Sequence, residues 1–351
     1  MLYALPHLSG FVLPVAIVAG VRLGGVWTFL PVALLLGVLP LADWAAGVNL
    51  SNPHDEGSLE RNVWCRAVTW MWVPVQAALL VWALGQAVSG VLTALELAGL
   101  VLSTGLTAGT IGITFAHELV HRSHRFERAL GEILLAMTSY THFAIEHVYG
   151  HHRHVGTPRD PATARYGESI YGFVPRSVLG GVASAWRFEG ERLRRRGRRP
   201  WHQSNRMLRY AATQVILYVA ISLWWGAAGT VFFAAQALLA IALVETINYI
   251  EHYGLERREL APGRFERQMP WHSWNSSHRL SNWLLINLAR HSDHHLVASK
   301  RYQTLEHLQA APQLPAGYGA MFLAALCPPV WRRVMDPRVE KWRKTHHVSL
   351  S

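Results

Sequence analysis

The sequence predicts an all-α integral membrane protein with six transmembrane helices and a histidine-rich cytoplasmic cap. Hydrophobic residues make up 51% of the 351 positions and charged residues 16%, whereas soluble domains carry about 25% charged residues. Six apolar stretches approach the roughly 20 residues that a helix needs to cross the hydrocarbon core. Nineteen of the twenty histidines lie outside these stretches, and nine of them form four groups. Together these observations predict polar chemistry at the membrane surface.

The six apolar stretches are predicted as spans over residues 3–20, 24–43, 67–89, 91–115, 210–227 and 229–249. Because the joins after the first, third and fifth stretches are short, the spans are expected to pair as three hairpins. The apolar N-terminus lacks the basic start and small-residue cleavage site of a signal peptide, so we interpret it as the first span. Residues 1–351 are thus predicted to form one membrane domain.

Basic residues set the predicted orientation. Of the 33 lysines and arginines, only Arg22, Arg61 and Arg66 precede the end of the fourth span. Residues 116–209 and 250–351 carry the others, which predicts that both regions and both termini are cytoplasmic. The expected location is a bacterial-type inner membrane.

The arginine-rich segment EGERLRRRGRRP, residues 189–200, and the formal charge of +11 raise the question of nucleic acid. The charge pattern instead favours a solvated cytosolic surface near anionic lipid, with an acidic protein partner as the alternative. No nucleic-acid partner is expected. Cys65 and Cys327 form no CxxC pair, so any electrons must come from another chain.

Nine histidines lie at spacings that suit metal binding. Residues four apart on a helix lie about 40° apart in projection and face one way. All nine follow a predicted span or lie in a predicted cytoplasmic region, so they can meet at one membrane surface. They are His117 and His121 in HELVH; His147, His151 and His152 in EHVYGHH; His252 in NYIEHYG; and His291, His294 and His295 in RHSDHH.

Nine imidazoles exceed the four ligands of zinc or the six of an octahedral ion, so two ions are implied. A histidine-rich pair of sites beside an apolar interior indicates iron and dioxygen chemistry. Several residues beside the clusters are candidates to hydrogen-bond a ligand's free ring nitrogen and so to fix its tautomer. These are Glu118, Glu146, Asp160, Glu251, Asp293, His272 and His278.

Two other classes of protein share part of this pattern. HELVH also matches the HExxH motif of zinc proteases, but a hydrolase with one zinc has no need of seven further histidines. A metal transporter would place histidines along a path through the spans, and here the spans are nearly free of them. A zinc protease and a metal transporter therefore stay as alternatives.

These motifs resemble those of the membrane-bound alkane 1-monooxygenases, within the fatty acid desaturase and hydroxylase superfamily. HELVH, EHVYGHH, RHSDHH, the NYIEHYGL segment, GTPRDPATARYGE and HSWNSSHRLSN carry the resemblance, which extends over about residues 112–342. It implies that the nine histidines bind two non-haem irons. It also implies dioxygen as co-substrate, a membrane-dissolved apolar substrate, and electrons from a separate rubredoxin with its reductase.

Two departures from the family pattern leave the predicted metal site intact. The segment LVASKRY follows RHSDHH where the family usually has a proline, and Arg122 stands where lysine is commoner. The expected reaction is hydroxylation of a terminal methyl group of an alkane to a primary alcohol. A xylene-type methyl-arene monooxygenase and a fatty acyl hydroxylase or desaturase are the nearest alternatives.

Overall fold

The computed structural model describes residues 2–345. Helices dominate this part of the chain, and its one sheet pairs two short antiparallel strands, β1 (Glu259–Ala261) and β2 (Arg264–Phe265). The predicted all-α class is confirmed by this architecture. The last residues of the predicted 250–351 region lie outside the described part.

The N-terminal helices are α1 (Leu2–Leu23) and α2 (Gly25–Ala46). The first begins as a 3-10 helix, and the second contains a π-helical turn at Leu34–Val38. A short helix, α3 (Glu56–Glu60), leads to the long helix α4 (Val63–Val88). Asn62 caps α4 by accepting hydrogen bonds from the backbone amides of the first turn, which fixes where the helix begins.

The fourth long helix, α5 (Ala94–Val120), begins with a capping box in which Thr93 and Glu96 satisfy each other's backbone amides. A π-helical turn interrupts it at Ala108–Ile113. The helix ends at the first histidine motif, so His117 lies in its last turn.

The last long helix, α9 (Arg206–His252), contains 47 residues. Gly226 breaks it with φ 66°, a left-handed value that glycine adopts at little cost. The Tyr218 and Phe233 rings lie 5.0 Å apart across this break. A continuous helix would separate them by about 22 Å, so the chain reverses at Gly226 and α9 is a hairpin of two arms.

Five helices of the described chain, α1, α2, α4 with α3, α5 and α9, are long and apolar enough to cross a membrane. The apolar stretches of the sequence predict six spans. The two predicted spans at 210–227 and 229–249 correspond to the two arms of α9, which the structure joins into one element. Six crossings with a cytoplasmic cap therefore remain a prediction.

Shorter helices build the cap between and after the long ones. Several of them carry or support the histidine motifs. They are α6 (Arg125–Met137), α7 (143–154), α8 (Ile170–Arg194), α10 (Arg279–Leu284), α11 (His291–Leu296), α12 (Tyr318–Ala325) and α13 (Pro328–Thr345).

Close packing of α5 against the second arm of α9 brings two of the histidine motifs together. A Cβ atom at Gly105 would lie 2.9 Å from the Gln236 carbonyl oxygen, and one at Gly109 the same distance from that of Ala240. Small residues four apart let helices approach this closely within a membrane. The C-terminal ends of these two segments, at His117 and His252, consequently lie on the same side of the bundle.

Candidate metal centre

The nine predicted histidines converge in two groups. The five-histidine group contains His117, His121, His147, His152 and His294, and the four-histidine group contains His151, His252, His291 and His295. Within each group, one nitrogen from every ring lies within 4.8 Å of the others. Seven of the nine residues are buried and two are half-buried.

Ring nitrogens face one another inside each group. His152 Nε2 lies 3.1 Å from both His147 Nε2 and His294 Nε2. His291 Nε2 lies 3.1 Å from His252 Nε2 and 2.9 Å from His295 Nε2. Ligands about 2.0–2.1 Å from a shared ion, at angles of roughly 90–110°, have nitrogens about 3 Å apart. The nitrogen spacing fits one ion in each group.

A π-helical turn, Glu146–His151, shapes the second motif. In an α-helix, residues five apart point about 140° away from each other. The wider turn instead brings His147 and His152 to the same group. Such turns occur frequently at functional sites, but the histidine spacing alone did not indicate this one.

Neighbouring histidines serve different groups. His151 belongs to the four-histidine group and His152 to the five-histidine group. In the third motif, His295 belongs to the four-histidine group and His294 to the five-histidine group. On a helix, neighbouring side chains diverge by about 100°, which directs each pair toward two points. Histidine spacing did not reveal how the nine residues divide between two ions, whereas the folded arrangement divides them five and four.

The electrostatics favour neutral imidazoles, the form that metals bind. Burial, reinforced by neighbouring histidines, lowers the pKa of His121, His147 and His294 well below the usual value. The same causes lower the pKa of His291 and His295. Within the described chain, the buried His121 Nε2 and His151 Nε2 atoms have no hydrogen-bond partner. The donor set thus fits metal ions.

Asp160 orients one of these rings. Its Oδ2 lies 2.9 Å from His151 Nδ1 and accepts a 2.6 Å hydrogen bond from Thr163 Oγ1. Burial by itself would raise the pKa of Asp160, but the contacts with His151 and Thr163 lower it below its ordinary value. The carboxylate therefore holds the proton on His151 Nδ1 and leaves Nε2 free to bind a metal.

The other predicted supporting carboxylates have different partners. Glu251 Oε2 lies 3.3 Å from His291 Nε2, and its Oε1 accepts a 2.8 Å bond from the Tyr318 hydroxyl. Glu118 pairs with Arg122, and Asp293 accepts from Lys300 Nζ and the backbone amide of Glu306. Glu146 is buried with its Cγ facing Gly181 of α8.

His272 and His278 stay outside both groups. His272 Nε2 lies 3.2 Å from Glu266 Oε1, and its Nδ1 accepts a bond from the Met269 amide. His278 Nδ1 lies 3.0 Å from Ser276 Oγ. Both imidazoles therefore organise the loop between α9 and α10.

The two departures from the family pattern contact each other. Arg122 is 5% exposed and donates to the Ser299 carbonyl oxygen at 2.7 Å and to that of Lys300 at 2.9 Å. Its Nε also donates to the Glu118 carbonyl oxygen. A lysine has only one nitrogen with which to make these three contacts. Arg122 thus ties the end of the first motif to the segment that follows the third.

A narrow cavity of about 90 Å³ leads to the histidines. His117, His147 and His291 line one part of it, so both groups face the cavity. On α5 the lining residues follow one helical stripe back from His117 to Leu106, a length of about 16 Å at 1.5 Å per residue. That stripe contains Leu106, Gly109, Thr110, Ile113, Thr114 and His117.

The rest of the cavity wall is mainly apolar. Leu243, Val244 and Ile247 of α9 lie along it. Leu36 and Leu39 of α2 and Phe322 of α12 also line it, and these three are only half-buried. Such a wall is suited to a slender apolar ligand that enters from the side of the helix bundle.

Sequence reasoning missed Tyr318 and Thr163, which hold Glu251 and Asp160. Thr163 lies within the quoted GTPRDPATARYGE segment, so the motif contained a signal for it. Tyr318 lies 67 positions from Glu251, and no local pattern predicts their contact.

Comparison with known proteins identifies relatives. The sequence model of the fatty acid desaturase family matches residues 92–325. Alkane 1-monooxygenase 2 of Pseudomonas aeruginosa is 41% identical over 335 residues, covering 93% of this chain and 87% of that protein. Alkane 1-monooxygenase of Ectopseudomonas oleovorans is 40% identical, covering 91% and 80%. The xylene/toluene monooxygenase hydroxylase component of Pseudomonas putida is 32% identical over 71% of this chain and 66% of its own length.

Proposed function

Because the chain belongs to the alkane 1-monooxygenases, within the fatty acid desaturase family, we propose that it converts alkanes to primary alcohols at a non-haem di-iron site. The observation that carries this proposal is the apolar cavity lined by histidines of both groups. It gives a hydrocarbon chain a path to two metal sites at once.

Each histidine group would hold one iron. The nitrogen spacing and the neutral state of the buried rings support this assignment. Bound iron would supply the reduction of dioxygen and the oxidising power that protein side chains lack. The nine histidines hold the ions, and Asp160 fixes the tautomer of His151.

The cavity would position the hydrocarbon and exclude water from it. Apolar walls remove a hydrocarbon from water and hold its end beside His117, His147 and His291. A slender channel admits the terminal methyl group first, so shape selects the carbon that reacts. One alkane, one dioxygen, two electrons and two protons give one alcohol and one water.

The electrons would come from a separate rubredoxin with its reductase. Supporting this, the only cysteines are Cys65 and Cys327, which are both free and belong to no cluster that could store electrons. The cap is expected on the cytoplasmic face of an inner membrane, where such a soluble carrier can reach it. The basic cap and the five apolar helices support this placement.

A groove beside the second histidine motif suits an acidic carrier. Its volume is about 750 Å³, and Tyr149, which lies between His147 and His151 in the chain, is 44% exposed at its edge. Arg206 lies over the Tyr149 ring at 5.0 Å. We call it the arginine groove, after the residues that line it: Arg153, Arg192, Arg195, Arg196 and Arg206.

Charge reversal in the arginine groove tests the docking site. Arg195 and Arg196 are exposed and have no carboxylate within 4.0 Å in the described chain. We expect Arg195→Glu with Arg196→Glu to raise the KM for reduced rubredoxin about tenfold at low salt, because complementary charge steers association. Steady-state turnover at several ionic strengths measures the effect.

The matched control is Arg333→Glu with Lys341→Glu, which changes the charge equally at exposed positions of α13, outside the groove lining. It should leave the KM within about twofold of wild type, since screening weakens distant surface charges. Equal effects of both pairs would contradict docking in the groove and would favour a general effect of net charge.

Leu106 tests the length of the cavity. It lies at the end of the α5 stripe away from His117 and is buried. Leu106→Phe should shift the preference toward shorter alkanes, because each methylene that loses its place in an apolar pocket is worth about 1–3 kcal/mol. Competition between alkanes of different length measures this shift.

The control for Leu106 is Leu95→Phe, at an exposed position of the same helix. It should leave the length preference unchanged. Thermal unfolding of both variants separates this change in preference from overpacking, which costs about 1–3 kcal/mol. An unchanged preference in a folded Leu106→Phe variant would exclude this stripe as the substrate path.

Reconstituted turnover tests the reaction itself. The full-length chain in lipid, with a rubredoxin system, would receive alkanes of several lengths, xylene and a fatty acid separately. We expect primary alcohols from alkanes to form fastest. Faster oxidation of xylene would instead support the methyl-arene alternative. The similarity to the xylene/toluene monooxygenase component is the reason for testing it.

A further inference from the structure

A second basic pocket lies between the first turns of α6 and α9. Its volume is about 340 Å³, which is within the range of small-ligand sites. Four arginines and one carboxylate contribute to its lining: Arg125, Arg128, Glu132, Arg206 and Arg209. We call it the α6–α9 pocket. It borders the arginine groove at Tyr149 and Arg206, which line both.

Two of the four arginines are already paired with carboxylates. Arg209 Nη2 donates to the two oxygens of Glu132 at 3.0 and 2.8 Å, and the Tyr210 hydroxyl donates to the same carboxylate at 2.8 Å. Arg206 Nε donates to Glu189 at 3.1 Å. Glu132, the one carboxylate of the lining, is thus engaged and does not neutralise the other two arginines.

Arg125 and Arg128 carry the unmatched charge. Both residues are exposed, and neither has a carboxylate within 4.0 Å among residues 2–345. They lie three positions apart on α6, so their side chains are neighbours on one face of the helix. Two guanidinium groups on one face can bind the oxygens of a single phosphate, because each fork of N–H groups matches that geometry.

Beyond the pocket, α6 and the first arm of α9 run side by side. The Gln214 side-chain amide donates to the Ala136 carbonyl oxygen at 3.2 Å, and the Tyr218 hydroxyl lies 3.2 Å from Ser139 Oγ. These contacts advance along both segments in the same direction, so the two helices leave the pocket in parallel. Because α9 is apolar enough to cross a membrane, α6 enters the same layer beside it.

The outer faces of the two helices are apolar and exposed. Ile133 lies one turn beyond Ala129 of the pocket lining and is 47% exposed. On α9, Ile216 lies two turns beyond Arg209 and is 68% exposed. Exposed apolar surface of this kind marks a contact with lipid. A basic pocket that continues into an apolar surface matches a phospholipid, which has an anionic head and apolar tails.

We propose that the α6–α9 pocket binds the headgroup of an anionic phospholipid, with Arg125 and Arg128 on its phosphate. The acyl chains lie along Ile133 and Ile216. Basic pockets between membrane helices on the cytoplasmic side are known to bind such headgroups. This site goes beyond the proposed hydroxylation, because it needs neither a metal ion nor an alkane and requires only that α9 cross the bilayer.

Phosphatidylglycerol is the lipid that the pocket fits. Its phosphate carries the only charge of the headgroup, and Arg125 and Arg128 are free to bind it. Phosphatidylcholine has the same phosphate but adds a quaternary ammonium group, which the guanidinium groups repel. Both helices also begin at the pocket, so the positive ends of their dipoles favour an anion.

The position along α9 separates this pocket from the docking surface proposed for the electron carrier. Arg206 lines both, whereas Arg209 lies about one turn further toward the apolar arm and lines only the α6–α9 pocket. Arg125 and Arg128 also lie outside the lining of the arginine groove. A soluble acidic protein would leave the apolar faces beside them uncovered, whereas acyl chains cover those faces and keep them from water.

Native mass spectrometry of the purified full-length chain tests this site. The chain would be released from detergent micelles that contain either phosphatidylglycerol or phosphatidylcholine with identical acyl chains. We expect one phosphatidylglycerol to stay tightly bound per chain, and no phosphatidylcholine at the same concentration. Glycerophosphoglycerol, the same headgroup without acyl chains, should not displace the bound lipid, because it cannot cover the apolar faces.

Charge removal in the pocket should weaken this binding. We expect Arg125→Gln with Arg128→Gln to lower the affinity for phosphatidylglycerol about 25-fold, since each basic residue near an anionic surface contributes about fivefold. Because both residues are exposed, this variant should melt at the wild-type temperature in phosphatidylcholine. The control, Arg333→Gln with Lys341→Gln, removes the same charge at exposed positions of α13 and should leave lipid affinity within about twofold.

Four results would overturn the site. Equal weakening by both pairs would indicate attraction by net charge, and equal binding of phosphatidylcholine would exclude selection for an anion. Displacement by glycerophosphoglycerol would indicate a site for soluble phosphates. If the Arg125 and Arg128 variant binds lipid normally but raises the KM for reduced rubredoxin, the pocket belongs to the docking surface of the carrier. The lipid measurements need neither iron nor turnover, so this site and the proposed function fail separately.

Discussion

We expect alanine at His294 or at His151 to abolish alkane hydroxylation and to lower bound iron. His294 belongs to the five-histidine group, where its Nε2 lies 3.1 Å from His152 Nε2, and His151 belongs to the four-histidine group. Each substitution would remove a ligand from a different ion of the proposed site. Because outer partners of ligands already contribute about 10- to 100-fold, we expect losses of more than about a hundredfold in turnover.

Iron per chain and alcohol formation, both on detergent-purified protein, measure this prediction. His54→Ala is the control, because His54 is exposed and lies outside both groups; it should retain iron and activity. Full iron loading and near-normal turnover in either ligand variant would show that the nine histidines are not the metal centre.

We expect asparagine at Asp160 to lower metal affinity and turnover about 10- to 100-fold. The carboxylate lies 2.9 Å from His151 Nδ1 and accepts from Thr163 and from the Ala162 amide. An amide at this position can present a donor to the ring, which favours the wrong histidine tautomer. Iron binding by competition with a chelator, together with turnover at saturating iron, measures the two effects.

Glu168→Gln is the matched control for Asp160. Glu168 pairs with Arg176 within the same cap but contacts no histidine of either group. It should lower stability slightly and leave iron affinity unchanged. If both variants lose iron equally, the loss reflects weakened folding of the cap, and the orienting role of Asp160 is wrong.

The sequence predicted the helical class and the convergence of nine histidines because both depend on local patterns. Apolar length identified the long helices, and clustering at their ends placed the histidines on one side. The same reasoning expected separate spans at 210–227 and 229–249, whereas the structure forms one hairpin element that turns at Gly226. Whether each arm crosses the membrane remains a prediction.

Local sequence patterns do not predict contacts between distant residues or irregular helical turns. The π-helical turn at Glu146–His151 changes which side chains face together. Tyr318 meets Glu251 only through the packing of α12 on α9. His272 and His278 lie in a loop outside the two groups, and their supporting role stays a prediction.

The two departures, one after the first motif and one after the third, are joined by the fold. Arg122 and the LVASKRY segment are far apart in sequence, yet the guanidinium binds the Ser299 and Lys300 carbonyl oxygens. One side chain thereby donates to three carbonyl oxygens from three separate nitrogens, whereas a lysine would have to donate all three bonds from one nitrogen. Only the folded chain relates these two positions.

Metal analysis of the purified full-length chain tests the di-iron assignment. We expect about two irons per chain, held through purification and lost together with alkane hydroxylation when a chelator removes them. One zinc per chain would contradict it and indicate the protease alternative suggested by HELVH. A weakly held, exchangeable ion without oxygenase activity would contradict it equally and indicate a metal transporter.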